Sequence, residues 1–74
     1  MATLPQQPEG ESFRIVFGKE TDGRWLAEVP ELPGVMVYGA TKKEAEVAVT
    51  ALALRVLADH TEQARKPPKA IRFL

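Results

Sequence analysis

Seventy-four residues with no cysteine and one histidine make one small domain and exclude disulfides, thiolate metal sites and a zinc site of the usual kind. A domain of this size buries only about 60% of the surface its unfolded chain exposes, so the stabiliser left to it is association with another subunit. Ten basic and ten acidic side chains cancel, which argues against the clustered cationic footprint of a nucleic-acid binder.

Residues 1–11 hold Pro5, Gln6, Gln7, Pro8 and Gly10 and are expected to form a flexible arm that buries little. They carry neither a charged n-region nor an apolar run, so they do not read as a signal peptide. No segment approaches the roughly 20 apolar residues of a membrane span. The expected setting is cytoplasmic, without a membrane partner. Residues 12–74 read as the single domain.

Ser12–Gly18 is predicted as the first strand, with Phe13, Ile15 and Phe17 on one face and Arg14 and Val16 on the other. Lys19–Gly23 is the turn, because Gly23 after Asp22 tolerates the positive φ that hairpins need. Arg24–Val29 returns as an antiparallel strand in which Trp25, Ala27 and Val29 alternate with Arg24, Leu26 and Glu28. In the loop that follows, Pro30 ends the ladder, Pro33 fixes φ and Gly34 lets the chain reverse. Val35–Gly39 then makes a third strand, and three strands joined by short connections favour an antiparallel meander.

A helix opens at Thr41. Its hydroxyl can accept from the N–H of residue 44 while Glu44 reaches back to the N–H of residue 41, a capping box. The run to about His60 is rich in Ala and Leu and lacks Gly and Pro, so it is predicted helical throughout. Pro67 and Pro68 force an extended chain, and Lys69–Leu74 is expected to add a fourth strand to an edge of the same sheet. The Pro67–Pro68 hinge would also permit that strand to swap into a neighbouring subunit. The expected fold is α+β in β-β-β-α-β order, one helix on one face of a mainly antiparallel sheet.

At roughly 100° per residue, Ala45, Val49, Leu52, Ala53 and Val56 form a stripe suited to covering the sheet. A second stripe of Val47, Ala51, Leu54 and Ala58 faces elsewhere, and one sheet does not need it. Exposed alanine covers little area, so Val47 and Leu54 could be ordinary scattered surface residues. Alternatively the face is buried by another chain. The second face of the sheet, read as Val16, Leu26, Val35 and Val37 or their alternates, raises the same question and points to sheet or edge pairing. Both observations favour a homodimer or a complex, through the helix or through a sheet edge.

Three pieces in order, Asp22-Gly23, Val29-Pro30-Glu31-Leu32-Pro33-Gly34 and Gly39-Ala40-Thr41-Lys42-Lys43-Glu44-Ala45, resemble the HicB-like antitoxin family. The resemblance runs from Phe13 to about Glu62. It implies a pared-down ribonuclease H-like fold of the HicB type. It also implies an antitoxin of a type II toxin-antitoxin system that binds and sterically inhibits a small, basic, HicA-like ribonuclease toxin. Asp22, Glu28 and Glu31 would then supply charge contacts to the toxin, with Trp25 and the Pro loop setting the shape. Larger family members carry a DNA-binding segment after this domain, and here Pro67-Pro68 and a short closing strand stand in its place. The alternative is a stand-alone homodimeric interaction scaffold with no toxin.

Catalysis finds little support. Asp22, Glu28, Glu31, Asp59 and Glu62 form no pair spaced for general acid/base work, and the ribonuclease H chemistry of the fold's parent needs several carboxylates around Mg²⁺, whereas Ser12–Gly18 offers none. His60 near a helix C-terminus reads as complementing the helix dipole. Thr41 and Ser12 have no base at a useful spacing. Trp25 and Tyr38 could stack on bases, and Arg65-Lys66-Pro67-Pro68-Lys69 with Arg72 is a basic segment, but no basic groove surrounds the aromatics and the segment reads as a solvated linker. No enzyme activity and no cofactor are expected.

Overall fold

The computed structural model describes residues 11–68 and 70–74; the expected arm, apart from Glu11, lies outside them, as does Lys69. The elements in chain order are β1 (Glu11–Phe13), β2 (Val16–Lys19), β3 (Trp25–Glu28), β4 (Met36–Gly39), α1 (Lys42–Ala64) and β5 (Ile71–Phe73). Strands β2, β3 and β4 form an antiparallel meander in that spatial order. Strand β5 lies parallel to β1 in a separate ladder that sets Phe13 beside Phe73. The fold is α+β, one helix on a mainly antiparallel sheet with an added parallel pair, as the sequence predicts.

Two expectations need correcting. The strand expected over Ser12–Gly18 is broken at Arg14 and Ile15 into β1 and β2. The cause is remote in sequence: Pro30 has no N–H to donate, so the chain of β3 turns away where a longer first strand would need a partner. The closing strand pairs with β1 rather than with the meander, and Leu74 and Phe13 are linked by a backbone hydrogen bond of 2.7 Å. The alternation survives the break, with Phe13 buried, Ile15 and Phe17 half-buried, and Arg14 and Val16 exposed.

The turns follow the glycines. Leu32-Pro33-Gly34-Val35 closes through Val35 N–H donating to Leu32 O at 3.0 Å, with Gly34 at φ +84°, as a Pro-Gly turn of type II requires. Leu32 itself is buried and plugs the end of the core. Gly23, at φ +91°, closes the β2–β3 turn by donating to Glu20 O.

Helix α1 starts at Thr41, whose Oγ1 accepts the Glu44 N–H at 3.0 Å. The return half of the expected capping box is not among the hydrogen bonds of the described residues. At the other end α1 runs to Ala64, beyond the predicted stop near His60, and Arg65 closes it in the left-handed region at φ 55°. A non-glycine residue there costs about 1–2 kcal/mol, the consequence of having no glycine at that position.

The buried core is Phe13, Ala27, Val29, Leu32, Val35, Ala45, Val49, Ala53 and Leu57. Leu52 and Val56, expected in the stripe that covers the sheet, are half-buried at the core's flank, and Leu57, absent from that stripe, is inside. The sheet's helix-facing side carries Val35 and Val37, expected on the far face. The far face presents Val16, Leu26, Met36 and Tyr38, because the Pro loop closes with Val29 opposite Val35 and Ala27 opposite Val37, so odd-numbered residues of β3 and β4 face the helix together.

The helix approaches the sheet most closely at Gly39. A Cβ added there would lie 2.6 Å from the Ala45 nitrogen and 2.9 Å from its Cα. Gly39→Ala should therefore destabilise the domain by about 1–3 kcal/mol through overpacking. Gly18→Ala, where a Cβ meets nothing within 4 Å, should be close to neutral. Urea midpoints of the two variants check this, and equal midpoints would refute the close-packing account.

Candidate functional site

The four residues expected to meet a partner sit on and around β3, and the fold spreads them apart. Asp22 lies in the β2–β3 turn. Its carboxylate accepts from the Arg24 backbone N–H at 3.1 Å and from Arg24 Nε at 2.7 Å. The backbone hydrogen bond, followed by the Arg24 guanidinium, holds the Asp22 carboxyl below its usual value. Glu31 lies beyond the other end of β3. It accepts from the Arg14 N–H at 3.0 Å and from Arg14 Nε at 2.7 Å, and those bonds hold its carboxyl low as well.

Glu31 thus satisfies the donor that the strand break leaves at Arg14. Its first role is to tie the Pro loop to the β1–β2 junction. Asp22 and Glu31 remain at the surface, but each is occupied by an arginine of its own chain.

Trp25 and Glu28 stand on opposite faces of β3. Trp25 is half-buried beside the start of the helix, with Lys42 Nζ 5.7 Å and Lys19 Nζ 5.5 Å from its ring. Lys42 also lies 4.8 Å from the Phe17 ring. These cation–π contacts give the Trp25 neighbourhood positive charge, a feature the alternation pattern did not reveal. Glu28 projects from the far face beside Met36, and no hydrogen bond or ion pair among the described residues engages it. On the same face the Arg24 guanidinium lies 4.4 Å over the Tyr38 ring.

The second helix stripe is real. Val47, Leu54 and Ala58 are exposed and Ala51 is half-buried, Val47 being 58% and Leu54 47% accessible. Val47, Ala51 and Leu54 line a groove of about 640 Å³ with Ile15, Phe17 and Phe73. Ala58 is not among its lining residues. Ile15 and Phe17 on the β2 side, with Phe73 of β5, supply the groove's opposite wall.

A smaller hollow of about 300 Å³ lies where Pro67 and Pro68 fold back toward the helix, and His60, Thr61 and Lys66 border it. Among the described residues no carboxylate lines it. His60 is exposed and stands a full turn before the helix end, so it does not occupy the terminus expected for it. No group of three His, Cys, Asp or Glu side chains placed to hold a metal occurs among the described residues. None of the helices described is long and apolar enough to cross a membrane.

The chain is similar to the UPF0150 protein Ta0767 of Thermoplasma acidophilum, with 38% identity over 37 residues. The match covers 50% of this chain and 54% of that protein, so the chain spans about half the length of the relative it matches. No protein-family model matches the chain, and no solved structure does.

The Glu31–Arg14 pair has a pH signature. A carboxyl depressed in the folded state stabilises the fold above its unfolded pKa, and that contribution fades as pH falls through the folded value. The stability gap between wild type and Glu31→Gln should thus be full at neutral pH and close below the ordinary value of 4.5. Urea melts across pH 3–7 would measure it, and a gap independent of pH would rule the ion pair out as its source.

Proposed function

We propose that this chain is a HicB-like, antitoxin-type protein that binds a small basic ribonuclease and blocks it by occupying its surface. The observation that carries the reading is the order and spacing of Asp22-Gly23, the Val29–Gly34 loop and the Gly39–Ala45 helix start on a β-β-β-α-β fold. The half-length similarity to a UPF0150 protein supports it, UPF0150 being a HicB-like family. Inhibition of this kind needs surface complementarity and no chemistry on the inhibitor's side. Asp22, Trp25, Glu28 and Glu31 do not form one patch, so a small toxin would engage one end of β3. The Pro loop end suits it best, because Pro30, Glu31 and Pro33 are exposed on a backbone stiffened by two prolines and fixed by Arg14.

The second reading, a stand-alone homodimeric scaffold, draws on the uncovered Val47, Leu54, Met36 and Tyr38. Purification of the tagged chain from its native cells separates the two. Co-purification of a small basic protein at fixed stoichiometry, whose ribonuclease activity falls on adding the chain, is the expected result. Recovery of the chain alone, or with a partner lacking ribonuclease activity, would overturn the antitoxin reading.

A further inference from the structure

Strand β4 ends the meander, and among the described residues it pairs with β3 alone. Its sequence, Met36-Val37-Tyr38-Gly39, carries no charge, no proline and no bulge, the devices that usually protect an open edge. The register shows which backbone groups are free. Val29 donates to Val35 O at 3.0 Å, which makes that pair a hydrogen-bonded one. Antiparallel pairs alternate, so Val37 exchanges its bonds with Ala27. The N–H and C=O of Met36 and Tyr38 therefore point away from the sheet.

We propose that this edge pairs antiparallel with the same edge of a second copy, on a two-fold axis through Val37. Met36 then exchanges both backbone bonds with the partner's Tyr38, and the symmetric pair does the same. Side chains agree with that register. On the far face Met36, 49% exposed, meets the partner's Tyr38, its counterpart at 48%, in a sulfur–aromatic contact. Glu28 neighbours Met36, and Arg24 lies over Tyr38, so unengaged Glu28 faces the guanidinium of the partner's Arg24.

Shifting the axis to Tyr38 would bring the two Arg24 groups together, and shifting it to Met36 would oppose the two Glu28 carboxylates. Only the register centred on Val37 alternates the charges. Because the contact is isologous it closes at two copies instead of growing into a filament. The groove at Val47 and Leu54 is the competing surface, but nothing on it specifies an occupant.

Sedimentation equilibrium and one cysteine per chain test this. Wild type should sediment at twice the 8.2 kDa chain mass. Met36→Lys, which engages Glu28 within its own chain and sets a cation against the partner's Arg24 over its Tyr38, should sediment as a monomer with its circular dichroism unchanged. The double variant Val47→Glu/Leu54→Arg should remain dimeric. The chain has no cysteine, so Val37→Cys should oxidise to a covalent dimer, since residues facing each other in a non-hydrogen-bonded pair have Cα atoms about 4.5 Å apart. Leu54→Cys should not. A monomeric wild type would overturn the proposal. So would a dimer lost only in the helix variant, or cross-linking through Leu54→Cys in preference to Val37→Cys.

Discussion

The fold depends on how closely one helix can approach one strand. Gly39 leaves no room for a side chain against the first turn of α1, and Ala27, Ala45 and Ala53 are fully buried in the core behind it. A layer built from a glycine and alanines brings the backbones together, but it buries few methylene groups. Val29 and Val49 are the largest fully buried side chains. At about 25 cal/mol per Å² of apolar surface, such an interior stabilises modestly. The shortage follows from the close approach itself, since larger residues at these positions would push the helix away.

Larger apolar side chains that this thin core cannot admit are displaced to its margins. Phe13 and Phe73 meet with ring centroids 5.8 Å apart and extend the core past the meander through the parallel pair. Leu32 closes the end beneath the Pro loop. Ile15 and Phe17 pack at the flank, while Val47, Leu54, Met36 and Tyr38 are left in contact with water. Exposed apolar groups in this arrangement are the counterpart of small residues inside.

Features governed by one residue's own backbone were legible in the sequence. Gly23, Gly34 and the Thr41 cap fall where turn and helix chemistry put them, and the meander follows from them. Features set by a distant residue were not. The break at Arg14 depends on Pro30, sixteen positions on by the numbering, and on Glu31 receiving the orphaned N–H. The facing of Val35 and Val37 was not legible, because strand parity after the Pro loop depends on how that loop closes. Of the site, the surplus helix stripe was visible as periodicity, while its opposing wall depends on where β5 brings Phe73 beside Ile15 and Phe17. The charge contacts of Asp22 and Glu31 were hidden for a simpler reason: spacing identifies a carboxylate but not the arginine already holding it.

Position in the sheet decides how the uncovered surfaces relate. Strand β4 is last in the meander and β2 is first, and the groove is walled by Ile15 and Phe17 on the β2 side. An assembly formed at β4 therefore leaves the groove open, and a two-fold pair carries two of them facing away from the axis. The Pro loop follows the end of β3 and is tied to the β1–β2 junction through Glu31 and Arg14, again away from the middle of the β4 edge. Self-pairing and capture of a second protein then draw on different parts of the surface. A domain whose interior is too thin to be strongly stable alone can gain stability from its own copy without giving up the surface through which it would act on another chain.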